Sequence, residues 1–365
     1  MQVLGTTFLT EGVQMRHRAI AIVSAVAVLV ALVSSGAAPA VAQTASVRTA
    51  WGEPDLQGIW DFRTITPLER PEELADQAFL TEEEATTLEQ EVVDRNARLL
   101  DRSAERTKAA DQVDRREDGT PGFYNNFWLD QGTTVVGTRR TSRIVDPADG
   151  RLPPLTPEAE RRATSPEARR VTQAGRGIIP PGSWEDLSPG SRCIHHGRAG
   201  PPINPGGYNN NIQLFQTPGY VAILNEQIHS VRVIPLDGRP HLGSGIRQWM
   251  GDSRGRWEDQ TLVVETTNFN GKYAQVGRPT LTSSEHQSVI ERFTRVDAGT
   301  LLYEYTVTDP ATWAESWTAQ VTMNKSQDLL YEYACHEGNY SMSVRLAGAR
   351  AMEREAAAAA TNGSR

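Results

Sequence analysis

Three residues that can do chemistry stand side by side near the end of the chain: Cys335, His336 and Glu337, in the stretch YEYACHEGNY (331–340). They can supply a nucleophile and its base, ligands for a metal ion, or one half of a disulfide with polar neighbours. The compartment of the protein decides between these interpretations, because disulfides persist in oxidising environments and a free thiolate tends to oxidise there.

The first 42 residues have the pattern of a secretory signal peptide. A short basic region precedes an uncharged apolar run at 19–34, which ends near small residues at 40–42. The run is shorter than the roughly 20 residues that span a membrane, so an uncleaved anchor is the less favoured alternative. We expect a periplasmic or secreted mature chain over 43–365, with no membrane span after cleavage. Met15 is an alternative start to Met1.

Cys193 and Cys335 are the only two cysteines, and in an exported chain they predict one disulfide. A nucleophilic Cys335 is the weaker alternative. The crosslink would gather three imidazoles and a carboxylate, which are the candidate ligands of a metal site: His195, His196, His336 and Glu337. Their spacing matches no known metal signature. Hydrogen bonding around the crosslink is therefore the favoured interpretation, and we predict no cofactor.

Histidine titrates near neutral pH, and a neighbouring carboxylate can orient it as a general base. We predict His229 or His336 as the base, with Glu226 or Glu337 as its partner. His229 and Glu226 lie in a stretch at 225–258 that is dense in His, Arg and Asp, where a site over the mouth of a barrel would form. A surface ion pair is the alternative for these two residues.

Nine further residues are candidates for contacting a substrate. They comprise two arginines as an anion clamp, a loop histidine, a Tyr-Asn string and three strand carboxylates: Arg232 and Arg239; His241; Tyr208, Asn209 and Asn210; Glu265, Glu304 and Glu332. Asn and Tyr suit sugars or polyols, although turns use Asn equally well. With Arg232 and Arg292, the three carboxylates either line a polar lumen or point to water, and the sequence leaves both interpretations open.

Charge and missing motifs exclude several classes of function. The chain has a formal net charge of −8 and no block of positive charge, which argues against binding to nucleic acid or to an anionic membrane. It contains no Gly-x-Ser-x-Gly elbow, phosphate loop, dinucleotide fingerprint or Cys-x-x-Cys pair. Redox chemistry on a bound nucleotide or haem is therefore unfavoured, as is phosphoryl transfer. The expected partner is a small-molecule ligand or substrate.

Helices are predicted in three places. Residues 81–106 carry apolar side chains at helical spacing after a capping box formed by Thr81 and Glu84. This helix lies in a helical insertion at about 71–118. A short helix begins at Thr156 and Pro157, since Pro is favoured at the first helical position, and a C-terminal helix runs from about Ser343.

Short apolar segments separated by turn residues predict about nine or ten antiparallel strands. Nine of the segments with strand character follow residue 207, at 211–216, 220–224, 228–234, 254–258, 261–267, 288–296, 300–307, 316–323 and 329–335. Three earlier segments, 58–60, 132–138 and 141–146, also have strand character. Consecutive hairpins favour an up-and-down, calycin-like barrel or a strongly curved sheet, with a sandwich as the alternative. We predict one such mainly β domain over 43–365, with an irregular loop at about 172–207.

The chain also shows two resemblances to known proteins. The Gly-x-Trp at 58–60 is similar to the start of lipocalin-like barrels, which implies architecture only. The strings WGEPDLQGIW, YNNNIQLFQTPGYVAIL, GDSRGRWE and YEYACHEGNY resemble a family of exported proteins of environmental bacteria, mostly named hypothetical, over nearly the whole mature chain. That resemblance transfers no activity and no catalytic residue. It implies that these polar strings belong to a common site.

The sequence therefore favours an exported, cofactor-independent acid–base enzyme: a lyase, isomerase or hydrolase that acts on a small polar-aromatic or sugar-like molecule in a barrel pocket. A non-catalytic, lipocalin-like ligand-binding protein is the alternative, and a structural envelope protein is the third hypothesis. An enzyme should place a histidine of perturbed pKa beside a carboxylate in a pocket, whereas a carrier should lack such a pair.

Overall fold

The computed structural model describes residues 47–101, 129–175, 178–272 and 284–363. The predicted signal peptide lies outside the described residues, as does the end of the predicted helical insertion.

Ten strands form one antiparallel sheet: β1 (Gly58–Asp61), β2 (Ile144–Asp146), β3 (Asn211–Thr217), β4 (Tyr220–Asn225), β5 (Val231–Pro235), β6 (Asp252–Glu258), β7 (Thr261–Thr267), β8 (Ser288–Arg295), β9 (Thr300–Thr308) and β10 (Trp317–Ser326). The strand order is β5-β4-β3-β1-β10-β9-β8-β7-β6, and β2 also pairs with β10. Two meanders, β3–β5 and β6–β10, are thus joined through β1. The predicted mainly β class with a curved antiparallel sheet is confirmed, and the sheet is not closed by hydrogen bonds into a barrel.

The concave face of the sheet carries the core. Residues of β8, β9 and β10 alternate between buried and more exposed positions, as expected when one face of a sheet is covered. The inward residues include Phe293, Tyr303, Tyr305 and Trp317, whose neighbouring rings lie 4.8 to 5.7 Å apart between centroids. Burial of each ring contributes about 2 to 3 kcal/mol, so this aromatic row is a main source of stability.

The two edge strands, β5 and β6, meet without forming a backbone ladder. Gly255 of β6 lies so close to β5 that a Cβ there would come within 2.9 Å of Ile234 Cγ2. Only glycine leaves room for this approach. Elsewhere along these edges, Val231–Val233 of β5 and residues 251–253 border a cavity instead.

Four helices accompany the sheet: α1 (Glu82–Asp101), α2 (Pro157–Ala163), α3 (Pro166–Gly175) and α4 (Ser341–Gly363). The predicted capping box is confirmed, since Glu84 N donates to Thr81 Oγ1 at 3.2 Å and Thr81 N donates to Glu84 Oε2 at 2.7 Å. Thr156 caps α2 as predicted, by accepting from Ala159 N at 3.1 Å. Within the described ranges, no helix is long and apolar enough to cross a membrane.

Two predicted strands are wrong. Residues 132–138 form no ladder, because Val136 N donates to the side-chain oxygen of Thr66 where a strand would offer a backbone carbonyl. Residues 329–335 are irregular, and Leu329 and Tyr331 are about three-quarters exposed. The preceding strand, β10, already pairs with β9 along one edge and with β1 and β2 along the other, so it has no free edge for another partner.

The start of the predicted strand 228–234 is also wrong. Gln227–His229 forms a short 3₁₀ turn, and Ile228 and His229 adopt positive φ angles of 57° and 38°. A β-branched residue with positive φ is strained, so β5 begins only at Val231.

Residues 193–207 form an inner loop that enters the curve of the sheet. Ala199 and Ile203 are buried, and Ile203 N donates to Tyr303 Oη at 2.9 Å in the core. This segment lies within the predicted irregular loop, whose predicted start at 172 falls inside α3. The inner loop fills the concave side of the sheet and brings polar groups into it.

Candidate functional site

The predicted disulfide is confirmed. Cys193 and Cys335 are joined with an S–S distance of 2.08 Å across 142 residues of sequence. The bond ties the beginning of the inner loop to the segment before α4. Asn339 supports the junction by donating to the Ser191 carbonyl at 3.2 Å.

The structure places the predicted catalytic residues near this crosslink but does not pair them as expected. His229 Nδ1 lies 3.1 Å from the carbonyl oxygen of Tyr333, and the rings of His229 and His336 lie 6.3 Å apart between centroids. The side chain of Glu226 accepts from Asn211 Nδ2 at 2.9 Å. His336 and its neighbour Glu337 are exposed. The two histidines thus share a surface, and neither bonds its predicted carboxylate.

His195 lies on the buried side of the crosslink. Burial, with smaller contributions from the charges of His196 and Arg232, lowers the pKa of His195 to about 4. It is therefore neutral at physiological pH. Among the described residues, which include all four proposed metal ligands, no group of three or more His, Cys, Asp or Glu side chains is arranged to hold a metal ion.

A buried ion pair crosses the interior of the sheet. Arg232 on β5 contacts Glu291 on β8 through two hydrogen bonds, at 2.5 and 2.8 Å, and both side chains are almost fully buried. Tyr303 Oη donates to the same carboxylate at 2.7 Å. Burial opposes the charge of Arg232, but Glu291 outweighs it and raises the arginine pKa. Burial and then Glu291 raise the pKa of Tyr303 well above its usual value.

The hydrogen-bonded chain continues through the inner loop. Tyr303 Oη accepts from Ile203 N at 2.9 Å, and the next residue, Asn204, accepts from Tyr305 Oη at 2.6 Å. Arg143 Nη1 reaches the same Asn204 oxygen at 3.4 Å. The chain therefore connects the guanidinium of Arg232 to that of Arg143 across the core.

One cavity opens where β5 and β6 fail to pair. This seam cavity has a volume of about 460 Å³ and is lined by Val231–Val233, residues 247–253 and Ile194. Trp249, Met250 and the valines make much of its wall apolar. Arg232, Arg247 and Asp252 supply its charged groups, and all three already have partners in the protein.

A histidine–aspartate pair stands beside the seam cavity. His241 Nδ1 lies 3.1 Å from Asp252 Oδ2, which also accepts from Leu242 N at 2.8 Å. Burial opposes the charge of Asp252, but its bonds to Leu242, Arg254 and His241 outweigh it and lower the carboxylate pKa. The side chain of His241, one of the predicted contact residues, therefore bonds a carboxylate.

A second cavity, the arginine pocket, lies between α1 and the inner loop. It has a volume of about 360 Å³ and is lined by residues 64–67, Leu88, Val92, Arg95, Gln131, Arg143, Arg198 and residues 205–207. Three guanidinium groups therefore border one small space. The side chain of Arg198 passes over Gly206, where a Cβ would come within 2.7 Å of Arg198 Cδ.

Arg143 is the unusual member of this set. It is only 9% exposed, and its backbone is fixed between Pro67 O at 2.8 Å and Gln320 N at 2.9 Å. Burial lowers the pKa of Arg143, the phenol of Tyr305 partly offsets this, and the charge of Arg198 lowers it further. Within the described part of the chain it makes no ion pair, and its Nε has no hydrogen-bond partner.

Arg70 is a buried arginine whose two terminal nitrogens are held by carbonyl oxygens, although its Nε, like that of Arg143, has no hydrogen-bond partner among the described residues. It is 4% exposed, and it donates to the carbonyl oxygens of Ala75 and Ala148, each at 3.1 Å. Among the described residues, the guanidinium of Arg143 has one long hydrogen bond, to Asn204. The two residues therefore differ in partners more than in burial.

The other predicted contact residues are spread over the molecule. Arg239 pairs with Asp237 on the surface, and Glu304 accepts from Gln320 Nε2 at 2.7 Å on the outward face of the sheet. Asn210 is buried, and its Nδ2 donates to the carbonyl oxygens of Asp130 and Gly206. The remaining residues lie at or near the surface: Tyr208, Asn209, Glu265 and Glu332. Among the predicted contact residues, Arg232 alone lines the seam cavity, and none lines the arginine pocket.

Comparisons with protein-family models, with curated proteins and with solved structures find no match for this chain. Its site is therefore interpreted from its own geometry.

Proposed function

We propose that the protein is an exported small-molecule-binding protein that holds a small anion in the arginine pocket. The observation that carries this proposal is Arg143, a buried guanidinium that lines the pocket without a carboxylate partner among the described residues. Arg198 lines the same space and brings a second positive charge close to it. A planar guanidinium suits an anion because it can donate two parallel hydrogen bonds to one carboxylate or phosphate.

Energetics support a ligand. Removing a cation from water costs several kcal/mol, which a partner charge normally offsets. Arg232 has such a partner in Glu291, whereas Arg143 has none in the described ranges of the chain. A bound anion would supply the missing charge, and it would occupy a cavity that is already open to it.

Binding is favoured over catalysis by the positions of the histidines. His195, whose pKa is lowered by burial, lines neither the seam cavity nor the arginine pocket. Export remains part of the proposal. The Cys193–Cys335 disulfide supports it, because such bonds persist in oxidising compartments.

The test is ligand-induced stabilisation. Chemical unfolding of the disulfide-bonded protein would be followed with acetate, benzoate, sulfate and phosphate, at constant ionic strength. At least one anion should raise the free energy of unfolding of the wild type, and Arg143→Met should abolish the effect. Arg239→Met is the control, because Arg239 pairs with Asp237 on the surface, and it should respond as the wild type does. Equal stabilisation of all three proteins would reject the site.

An acid–base enzyme is the second candidate, and the His241–Asp252 pair favours it. The aspartate can hold Nδ1–H of the imidazole and leave Nε2 to accept a proton, beside a cavity large enough for a small substrate. Turnover of a screened ester, lactone or sugar substrate should disappear in His241→Gln and persist in His286→Gln, which changes an exposed histidine. Turnover that survives His241→Gln would exclude this role.

A further inference from the structure

We propose that the ligand of the arginine pocket is a small carboxylic acid with an apolar body. This inference rests on the proposed anion-binding function and adds the chemistry of the rest of the molecule. The pocket has two unlike walls, one basic and one apolar, and a ligand that satisfies both must carry a charge at one end and hydrocarbon at the other.

The basic wall is compact. Arg143 reaches it from the segment before β2, and Arg198 reaches it from the inner loop. Arg143 is buried, so an anion that contacts it must leave water. A single carboxylate is the least costly group to bring there, because its one charge and planar oxygens match one guanidinium, whereas phosphate or sulfate retains more charge to desolvate.

The apolar wall comes mainly from one face of α1. Leu88 and Val92 are four residues apart and therefore lie on the same side of the helix. Leu88 keeps 38% of its surface exposed although it borders the cavity. Ile65 and Pro67 continue this wall along the opposite segment. Apolar surface left uncovered beside a buried cation is what an amphipathic ligand would cover.

A hydrogen bond from the segment before β2 holds α1 in position beside the pocket. Val135 N donates to Glu89 Oε1 at 2.9 Å, one residue from Leu88 along the helix. Arg95 follows Val92 by three residues and stands exposed at the rim, where it can steer anions toward the pocket.

The cavity of about 360 Å³ is near the lower limit for ligand sites, which points to a molecule of the size of an aromatic or short aliphatic acid.

Isothermal titration of the disulfide-bonded protein tests the inference with four probes: benzoate, its neutral isostere benzamide, acetate and sulfate. Benzoate should bind at least tenfold more tightly than each of the others. Leu88→Gln should weaken the binding of benzoate about three- to tenfold, because an apolar contact is lost, and should leave the affinities for acetate and sulfate unchanged. Leu100→Gln is the matched control on the same helix, since Leu100 is exposed and lies outside the pocket, and it should bind all probes as the wild type does.

The possible outcomes separate the two proposals. Sulfate or acetate binding as tightly as benzoate, through Arg143, would overturn the apolar acid and leave the anion-binding function standing. Benzamide binding as tightly as benzoate would show that charge does not drive recognition, and would overturn both proposals. Absence of binding by all four probes would likewise reject the arginine pocket as a site for small anions.

Discussion

Arg143 and Arg232 stand at the two ends of one buried hydrogen-bonded chain, which runs through Glu291, Tyr303 and the inner loop, and Tyr305 joins it at Asn204. The two arginines are buried to a similar extent, but only Arg232 has a carboxylate partner among the described residues. Arg232 is held by a carboxylate in a geometry with two hydrogen bonds, so its charge is satisfied inside the protein. The charge of Arg143 faces a cavity. This contrast supports a structural role for Arg232 and the binding role that we propose for Arg143.

The Arg232–Glu291 pair should be essential to the fold. Glu291→Gln leaves the buried guanidinium without its countercharge and should lower the free energy of unfolding by about 3 to 5 kcal/mol. The double variant Arg232→Met, Glu291→Leu removes both charges and should recover most of that loss. Urea unfolding of the wild type, Glu291→Gln and the double variant checks this. A double variant no more stable than Glu291→Gln would show that the charges themselves are not the cause.

Arg143 should lower the free energy of unfolding of the unliganded protein. Arg143→Met removes a buried cation that has no partner charge among the described residues, and it should leave the free energy of unfolding unchanged or raise it by about 1 to 3 kcal/mol. Arg70→Met is the matched comparison. It removes the donors of two part-buried hydrogen bonds to carbonyl oxygens and should lower the free energy of unfolding by about 1 to 3 kcal/mol. Equal losses in the two variants would mean that Arg143 is an ordinary structural arginine.

His195 should make the protein sensitive to acid. Its pKa is about 4 in the folded protein and about 6.5 when unfolded, so the unfolded chain takes up a proton first as the pH falls. The contribution of His195 to stability is therefore complete above pH 6.5 and is lost between about pH 6.5 and pH 4. Between pH 7.5 and pH 5 the loss is about 2 kcal/mol.

Urea unfolding at these two pH values would measure the effect in the wild type, in His195→Gln and in His286→Gln. The pH-dependent loss should shrink by about 2 kcal/mol in His195→Gln. It should persist in His286→Gln, which changes an exposed histidine. A loss of unfolding free energy between pH 7.5 and pH 5 that is identical in all three proteins would assign the acid sensitivity to other groups.

The disulfide should stabilise the native state by closing a long loop. In the chain-entropy model, a crosslink over 142 residues contributes about 4 to 5 kcal/mol by restricting the unfolded chain. Cys193→Ser, Cys335→Ser should therefore unfold at a much lower urea concentration than the oxidised wild type. With reductant present, the two proteins should unfold alike. A double variant as stable as the oxidised wild type would show that the crosslink does not stabilise the native state.

The sheet could be predicted because its strands carry local signals. The hairpins from β3 to β10 are bounded by turn residues and alternate in polarity, and most of them lie where the pattern places them. The segment 329–335 has the same composition and fails as a strand. A segment forms a strand only where the sheet offers it a free edge. Because β10 pairs on both sides, it offers no edge to residues 329–335, and no local pattern can reveal this.

The candidate site could be predicted only in part. The disulfide followed from counting cysteines, and Arg232 and His241 were singled out by their dense polar surroundings. Arg143 escaped because it sits in a short strand segment with ordinary neighbours, Ser142 and Ile144. Its significance comes from missing partners, and those depend on how the inner loop and α1 approach it from distant parts of the chain.

If the arginine pocket is a binding site, a small anion must reach the guanidinium of Arg143. The direct measurement is an NMR titration of the arginine side-chain Nε–H signals with benzoate, in which the Arg143 signal is assigned by its absence from Arg143→Lys. We expect a saturable shift of the Arg143 signal and an unchanged signal for Arg232, which is already paired. An Arg143 signal that stays unchanged throughout a titration of benzoate, acetate and sulfate would refute anion binding in this pocket.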